Sequence, residues 1–415
     1  MPSIIKNQPM WLKRDLLIKI LSKKMLSMIF LGFNSGLPLL LTGSTLQAWM
    51  TDSKIDIKDI GYFALVGLPY ATKFLWAPLL DRYQLFSSRR KGWMTVFQIG
   101  LVASLFIMAQ INPSDHLMLL SILSLSVAFF SASQDIVIDA YRREVLSLEE
   151  LGLGNSLYIF GYRMAMLISG ALALSLADMM SWTEVYTLMS VIMSLSLVIT
   201  YMIPTESHLQ VSPKTLSEAV IGPFVDFLKQ PQAWLILLFI LFYKMGDTMA
   251  GHLTTPFILS TGFSKTDIAA VAKTFGMVAT ICGGLAGGIL ILKLGIMRSL
   301  WIFGFLQAFS TLGFCLLTYF PASTICLSLV IGFENLCAGL GTSAYAAFMA
   351  SKTNIKYSGT QLALLTSFMG IPRVILAAPT GLISEAIGWN AFFIFCTIMA
   401  IPGMILIPWI KNQNK

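Results

Sequence analysis

Charge is scarce in this sequence. Only 12% of its 415 residues are Asp, Glu, Lys or Arg, while 56% are hydrophobic; soluble domains carry about 25% charged residues. A soluble core of this composition would leave too much apolar surface in water, so a soluble fold is excluded. Cysteine is scarce too. The five thiols (Cys282, Cys315, Cys326, Cys337, Cys396) are odd in number, lack paired spacing and fall inside apolar runs. Free thiols are therefore expected, with no disulfide framework and no metal site. Of three histidines, His116 and His208 sit at loop edges, and His252 lies about one turn beyond Asp247. There is no Walker loop, no Gly-rich nucleotide fingerprint and no triad spacing. Their absence argues against an ATP-driven pump and against an enzyme, and no cofactor is expected.

What is present is a series of long apolar runs. Twelve stretches are long enough to cross a bilayer, near residues 26–48, 59–80, 93–111, 116–140, 153–176, 183–203, 233–258, 266–292, 298–319, 323–350, 359–384 and 389–410. The fold class expected is an all-α integral membrane protein: twelve transmembrane helices in two six-helix pseudo-repeats. The organisation is a basic N-terminal segment (1–25), a first bundle (26–203), a linker (204–232), a second bundle (233–410) and a short tail (411–415). The linker holds Pro204, Pro213 and Pro231, and Lys214 to Lys229 reads as an amphipathic helix lying on the membrane. No small-residue cleavage site follows a short apolar core after the basic start, so a signal peptide is not the preferred reading. Span one instead runs through Gly32, Ser35, Gly36 and Pro38, the pattern of a kinked, cavity-lining helix.

The net charge of +8 would suit a nucleic-acid binder. The placement of the basic residues makes the lipid bilayer the partner instead, with no nucleic acid. Twenty of the 28 lie on one side: Lys6 to Lys24, Arg82, Arg89 to Lys91, Arg142, Arg143, Lys214, Lys229, Lys293, Arg298, Lys352, Lys356, Lys411 and Lys415. Lys54, Lys58 and Lys265 lie on the other, and five are intramembrane. The positive-inside rule then puts both termini and the linker in the cytoplasm.

Nine ionisable groups fall within spans: Lys73, Asp135, Asp139, Arg163, Lys244, Asp247, Lys273, Glu334 and Arg373. Unpaired, they would together cost about 20–30 kcal/mol on insertion scales, more than a typical domain's stability. They must pair, hydrate in a cavity or change protonation. Asp135 and Asp139 are spaced i, i+4 and share one helical face. The two halves echo each other: Lys73 with Lys273, Arg163 with Arg373, Asp135 with Glu334. Such groups point to a central polar cavity, with Asp135, Glu334 and Asp139 as proton-coupling candidates. Gln134, Arg163, Lys244, Asp247, Asn335, Arg373, Lys73 and Lys273 are the substrate-contact candidates. Lys244 and Asp247 have the spacing of a mutually neutralising pair. Asp139 has Arg142 and Arg143 one turn away and is a candidate for a cytoplasmic gate with Asp81, Arg82, Arg90 and Arg142.

The loop after span two, Asp81-Arg82 followed by Arg89-Arg90-Lys91, resembles the signature of the major facilitator superfamily. Five further stretches sharpen the resemblance: Gly36-Leu37-Pro38 with Gln47 to Met50; Lys73 to Leu79 with Asp81-Arg82-Tyr83; Ala132 to Val137 with Asp139-Ala140; Tyr243 to Asp247; and Glu334 to Cys337 with Gly341-Thr342-Ser343. Together they are similar to the AmpG muropeptide permeases of Gram-negative bacteria. That resemblance implies a proton-driven importer of N-acetylglucosaminyl-anhydro-N-acetylmuramyl peptides across the inner membrane, for cell-wall recycling. The related acetyl-CoA transporters share the general pattern. Another anionic solute, such as acetyl-CoA or a short peptide, or a non-transporting sensor of the same fold, is the alternative.

The charge asymmetry carries its own test. An impermeant thiol reagent applied outside cells should label cysteines placed at Lys54 and Lys265, and should not label cysteines at Lys91, Arg143, Lys214 or Lys352. Outside labelling at position 214 overturns the twelve-span topology.

Overall fold

The computed structural model describes residues 21–56, 59, 63–86, 88–205, 215–263, 267–320, 323–375 and 379–410. Within them the chain is helical, and ten helices are long and apolar enough to cross a membrane. In the first half these are span one (Lys23–Asp52), three (Arg89–Ala109), four (Leu117–Val145), five (Leu151–Ala177) and six (Trp182–Met202). The second half supplies spans seven (Ala233–Ser260), eight (Ala270–Leu294), nine (Ile296–Tyr319), ten (Thr324–Ser351) and twelve (Trp389–Trp409).

Of the other two expected spans, span two is broken. Span two runs as short segments, Phe63–Gly67, Leu68–Thr72, Lys73–Leu75 and Ala77–Arg82, two of them 3₁₀. Pro69 and Pro78 each sit in the first turn of a segment, where a missing N–H does no harm but a preceding helix cannot continue through it. In span eleven the described residues are helical over Ser358–Ile375 and Thr380–Ile387. Spans five and eight carry π-helical stretches, Ile168–Leu172 and Ile268–Phe275, a distortion frequent at functional sites.

Small residues set the tightest approaches. A Cβ at Gly32 would lie 1.9 Å from the Tyr158 carbonyl oxygen, one at Gly36 2.4 Å from that of Tyr162, and one at Gly161 1.9 Å from that of Ile29. Spans one and five thus meet backbone to backbone, as small-residue seams allow in lipid, where no hydrophobic force drives helices together. In the second half Gly283 and Gly339 do the same for spans eight and ten, against the carbonyl oxygens of Leu336 at 2.1 Å and Thr280 at 2.3 Å. Span one runs as one helix through Pro38 to Leu41, is interrupted at Thr42-Gly43 and re-forms as Ser44–Asp52.

The linker helix is Leu216–Leu228, capped by the Thr215 hydroxyl. Leu216, Val220, Ile221, Val225 and Leu228 are exposed on one side, and Ala219, Pro223 and Phe227 are buried on the other. The helix falls within the stretch expected to be helical, and apolar side chains stand on both its exposed and its buried side; Lys214 lies outside the described residues.

Candidate functional site

The charges gather in three places. The first is the end of the molecule that carries the basic loops. Asp81, at the end of span two, is wholly buried and faces the start of span eleven. Its carboxylate accepts hydrogen bonds from the backbone N–H groups of Gly359 (3.2 Å) and Thr360 (2.7 Å) and from the Thr360 hydroxyl (2.7 Å). A carboxylate from the first half thus caps a helix of the second. The free N–H groups and positive dipole end of that helix favour the anion.

Arg90 donates to Asp81 at 2.8 Å and to Glu144 at 2.5 Å, and Arg89 donates to Glu144 at 3.0 Å. Ser358 donates to Glu144 at 2.9 Å and accepts from Arg90 at 3.3 Å. Nearby, Arg143 donates to the Thr353 carbonyl at 3.3 Å. Spans five and eight close the same end: a Cβ at Gly288 would lie 2.3 Å from Ser156 Oγ, and one at Gly152 2.4 Å from Ile291. The basic end is therefore sealed in this conformation.

Of the residues read from sequence as a gate, Asp81 and Arg90 lie in this network. Arg82 lies outside it: its guanidinium lies 5.2 Å from the Tyr83 ring and makes no ion pair among the described residues. Asp139 pairs with Arg142 as expected. Arg142 also donates to Asn155 at 2.9 Å and lies 3.7 Å from the Tyr158 ring centre. These contacts join spans four and five within one half and do not cross between halves. Glu144 and the Ser358-Gly359-Thr360 triplet are the members that sequence reasoning missed. Their signals were present: an acid closing the Arg142-Arg143-Glu144 run, and a small polar triplet heading an apolar span. Which carboxylate caps that triplet is a tertiary matter.

The second cluster lies inside the first half. Lys73 is buried, and it is a charged neighbour of Asp135, as are Asp139 and Arg142. Among the described residues, Asp135 Oδ1, Ser35 Oγ, Tyr70 Oη and Ser131 Oγ are buried polar atoms that lie near one another without a well-aligned hydrogen bond. Gln134 is buried and donates to the Asn34 carbonyl at 3.1 Å, with its own Oε1 unpartnered. Unsatisfied buried polar atoms cost about 1–3 kcal/mol each. Their concentration around one carboxylate marks a place suited to a polar ligand or a change of protonation. Arg163 is half-buried in span five.

The third cluster lies in the second half. Lys244 donates to Asp247 and to Gln307 Oε1, both at 3.2 Å, so the i, i+3 pair forms as its spacing predicts. Glu334 of span ten joins it, with Asp247 and Lys244 as its charged neighbours; nothing in the sequence linked these three. Asn335 accepts from Thr280 at 2.9 Å and donates to the Ile331 carbonyl at 3.0 Å. Its amide ties span ten to span eight. The side chains of Lys273 and Arg373 lie outside the described residues.

The pseudo-symmetry is looser than the pairing of helices suggests. Asp135 stands ten residues short of Val145 and Glu334 seventeen short of Ser351. At about 1.5 Å per residue, Glu334 lies roughly 10 Å further from the basic end.

Two helical halves joined by a linker, intramembrane acids and bases, and a sealed end define a polytopic membrane transporter. A family model described as Major Facilitator Superfamily matches residues 25–377, and the chain belongs to that superfamily. Over 383 residues it is 44% identical to the anhydromuropeptide permease of Escherichia coli (strain K12), covering 92% of this chain and 78% of that protein. It is 34% identical over 410 residues to putative transporter AmpG 4 of Rickettsia felis, covering 96% of this chain and 99% of that one. The AmpG-type resemblance of its motifs therefore stands. The fold is shared with FucP in the outward conformation (TM-score 0.70, covering 95% of this chain and 99% of that one). It is also shared with the proton:xylose symporter XylE (TM-score 0.72, covering 95% of each), both at 12% identity.

If Asp81 holds the basic end shut, Asp81→Ala should release it. Spin labels at Gln84 and Lys293, exposed sites at the basic ends of the two halves, report this once the native cysteines are replaced. Each charge-assisted bond is worth about 1.5–3 kcal/mol, so the ratio of long-distance to short-distance populations should rise at least tenfold. An unchanged distance distribution removes Asp81 from the closure.

Proposed function

We propose that this protein is a proton-coupled importer of anhydromuropeptides from periplasm to cytoplasm, residing in a bacterial inner membrane with both termini cytoplasmic. The observation that carries this is the 44% identity with a protein named for that substrate, running through 92% of this chain. The charge distribution supports it. A muropeptide joins a neutral disaccharide to a peptide stem with several carboxylates and an amine. The buried hydroxyl and amide groups around Asp135 suit the sugar, and the Lys244–Asp247–Glu334 group suits the charged stem. With the basic end cytoplasmic, the sealed conformation is the one that receives substrate from outside.

In this reading Asp135 and Glu334 are the proton carriers, since each is an acid within the membrane held near a lysine. Asp139 is committed to Arg142 and serves them indirectly. Arg163, Arg373, Lys73, Lys273, Lys244 and Asp247 bind the stem, and Gln134 binds sugar. No cofactor takes part, because the proton gradient supplies the work. Rocking the halves about a midplane site delivers the substrate to the other side.

Uptake of labelled anhydromuropeptide into proteoliposomes under an imposed proton gradient tests the reading. Uptake of acetyl-CoA with none of muropeptide would move the substrate to the alternative class. Asp135→Asn keeps size and hydrogen bonding but cannot titrate. Gradient-driven uptake should be lost while binding, measured by calorimetry, is largely kept; undiminished uptake leaves Glu334 as the proton carrier. Arg163→Lys and Arg373→Lys keep charge but lose the planar fork. Each should weaken binding of a peptide-bearing muropeptide about tenfold or more, from a bond worth about 1.5–3 kcal/mol. The bare anhydro-disaccharide should be affected much less, and equal losses for both ligands would mean the arginines hold helices together.

A further inference from the structure

The residues that receive Asp81 are held from behind by the linker helix. Gln361, directly after Thr360, is fully buried. Its Oε1 accepts from the Asn354 backbone N–H at 2.7 Å. Its Nε2 donates to the Pro223 carbonyl and to Asp226, both at 3.0 Å. All the principal hydrogen-bonding capacity of this amide is thus in use. Asp226 takes a second bond on its other oxygen, from Asn354 Nδ2 at 3.1 Å. One linker carboxylate therefore spans both ends of the 354–361 segment, and Ser358, Gly359 and Thr360 lie between them. The linker helix also packs against Ala77–Arg82, the segment that carries Asp81.

A chain that only tethered two bundles would need none of this. We infer that Asp226 and Gln361 are positioning residues of the transport cycle: through them the linker helix fixes the first turn of span eleven so that its amide groups meet Asp81. The linker then biases the equilibrium between the two access states toward closure of the basic end. A carboxylate–amide bond is direction-sensitive. An unanchored first turn would therefore offer Asp81 misaligned N–H groups, although every contact made by Asp81 itself is left in place. Lys356 and Glu218 form a second bond between the same elements at 2.5 Å, and Glu218 also accepts from the Tyr357 hydroxyl at 3.4 Å, but the pair is partly exposed. Exposed pairs contribute little, so this bond is a control.

The test uses the full-length protein in lipid nanodiscs, with spin labels at Gln84 and Lys293. Asp226→Ala should raise the ratio of open to closed basic end about tenfold, and Glu218→Gln should change it less than twofold. In an Asp81→Ala background, Asp226→Ala should add less than twofold, because coupled residues are non-additive. A full additional tenfold there would show that the linker acts independently of Asp81 and would overturn the inference. No shift from Asp226→Ala, or an equal shift from Glu218→Gln, would do the same. Should Asp226→Ala fail to fold, as judged by size-exclusion elution, Asp226→Asn keeps one acceptor, and a shift in the same direction is required of it. The readout is a distance distribution without substrate, so its failure leaves the muropeptide reading untouched, and failure of muropeptide uptake leaves this inference standing.

Discussion

One carboxylate seated on the first turn of one helix organises this molecule. Asp81 is buried in a region where an unpaired charge costs several kcal/mol, and it is stable there because three of its bonds come from span eleven. Those bonds join the two halves, so the same groups that satisfy the charge also bridge the closed end of the molecule. Opening that end deprives Asp81 of its span-eleven donors and leaves it with Arg90 alone unless water enters. Arg90 stays bonded to Glu144, which lets the network come apart without stranding a lone guanidinium.

Glycine makes the closure geometrically possible. The spans-five-and-eight seam at Gly152 and Gly288 and the spans-one-and-five seam at Gly32, Gly36 and Gly161 have no room for a Cβ. The two seams differ in purpose. The one-and-five seam lies within a half and holds a rigid body together. The five-and-eight seam lies between halves at the sealed end and has to separate in transport. The rigid halves keep their own polar clusters, Lys73 with Asp135 in one and Lys244, Asp247 and Glu334 in the other. The clusters sit at different depths, so a long ligand with chemically distinct ends can address both.

Much of this was legible in the chain itself. The twelve apolar runs, the linker helix and the Lys244–Asp247 pair follow from length, proline placement and spacing, which are local rules. The scarcity of charge makes each intramembrane Asp, Glu, Lys or Arg conspicuous, so the candidates were named without a structure. The AmpG-type motifs were equally visible, because they are contiguous stretches of residues.

Partnership between distant residues was decided only by the tertiary structure. Sequence placed Arg82 and Asp139 in a gate, since both lie near the other gate residues along the chain. Packing turned Arg82 toward Tyr83 and kept Asp139 with Arg142, and brought Glu144, Ser358, Gly359 and Thr360 to Asp81 and Arg90 instead. Asn335 was drawn into the contact between spans ten and eight, and Glu334 was brought to Lys244 and Asp247. The physical reason is one of range. Hydropathy and proline act within a turn or a span, so residue order records them. A buried carboxylate takes whichever donors the packed helices present, and helix rotation and depth, which fix those donors, arise only when all the spans pack at once.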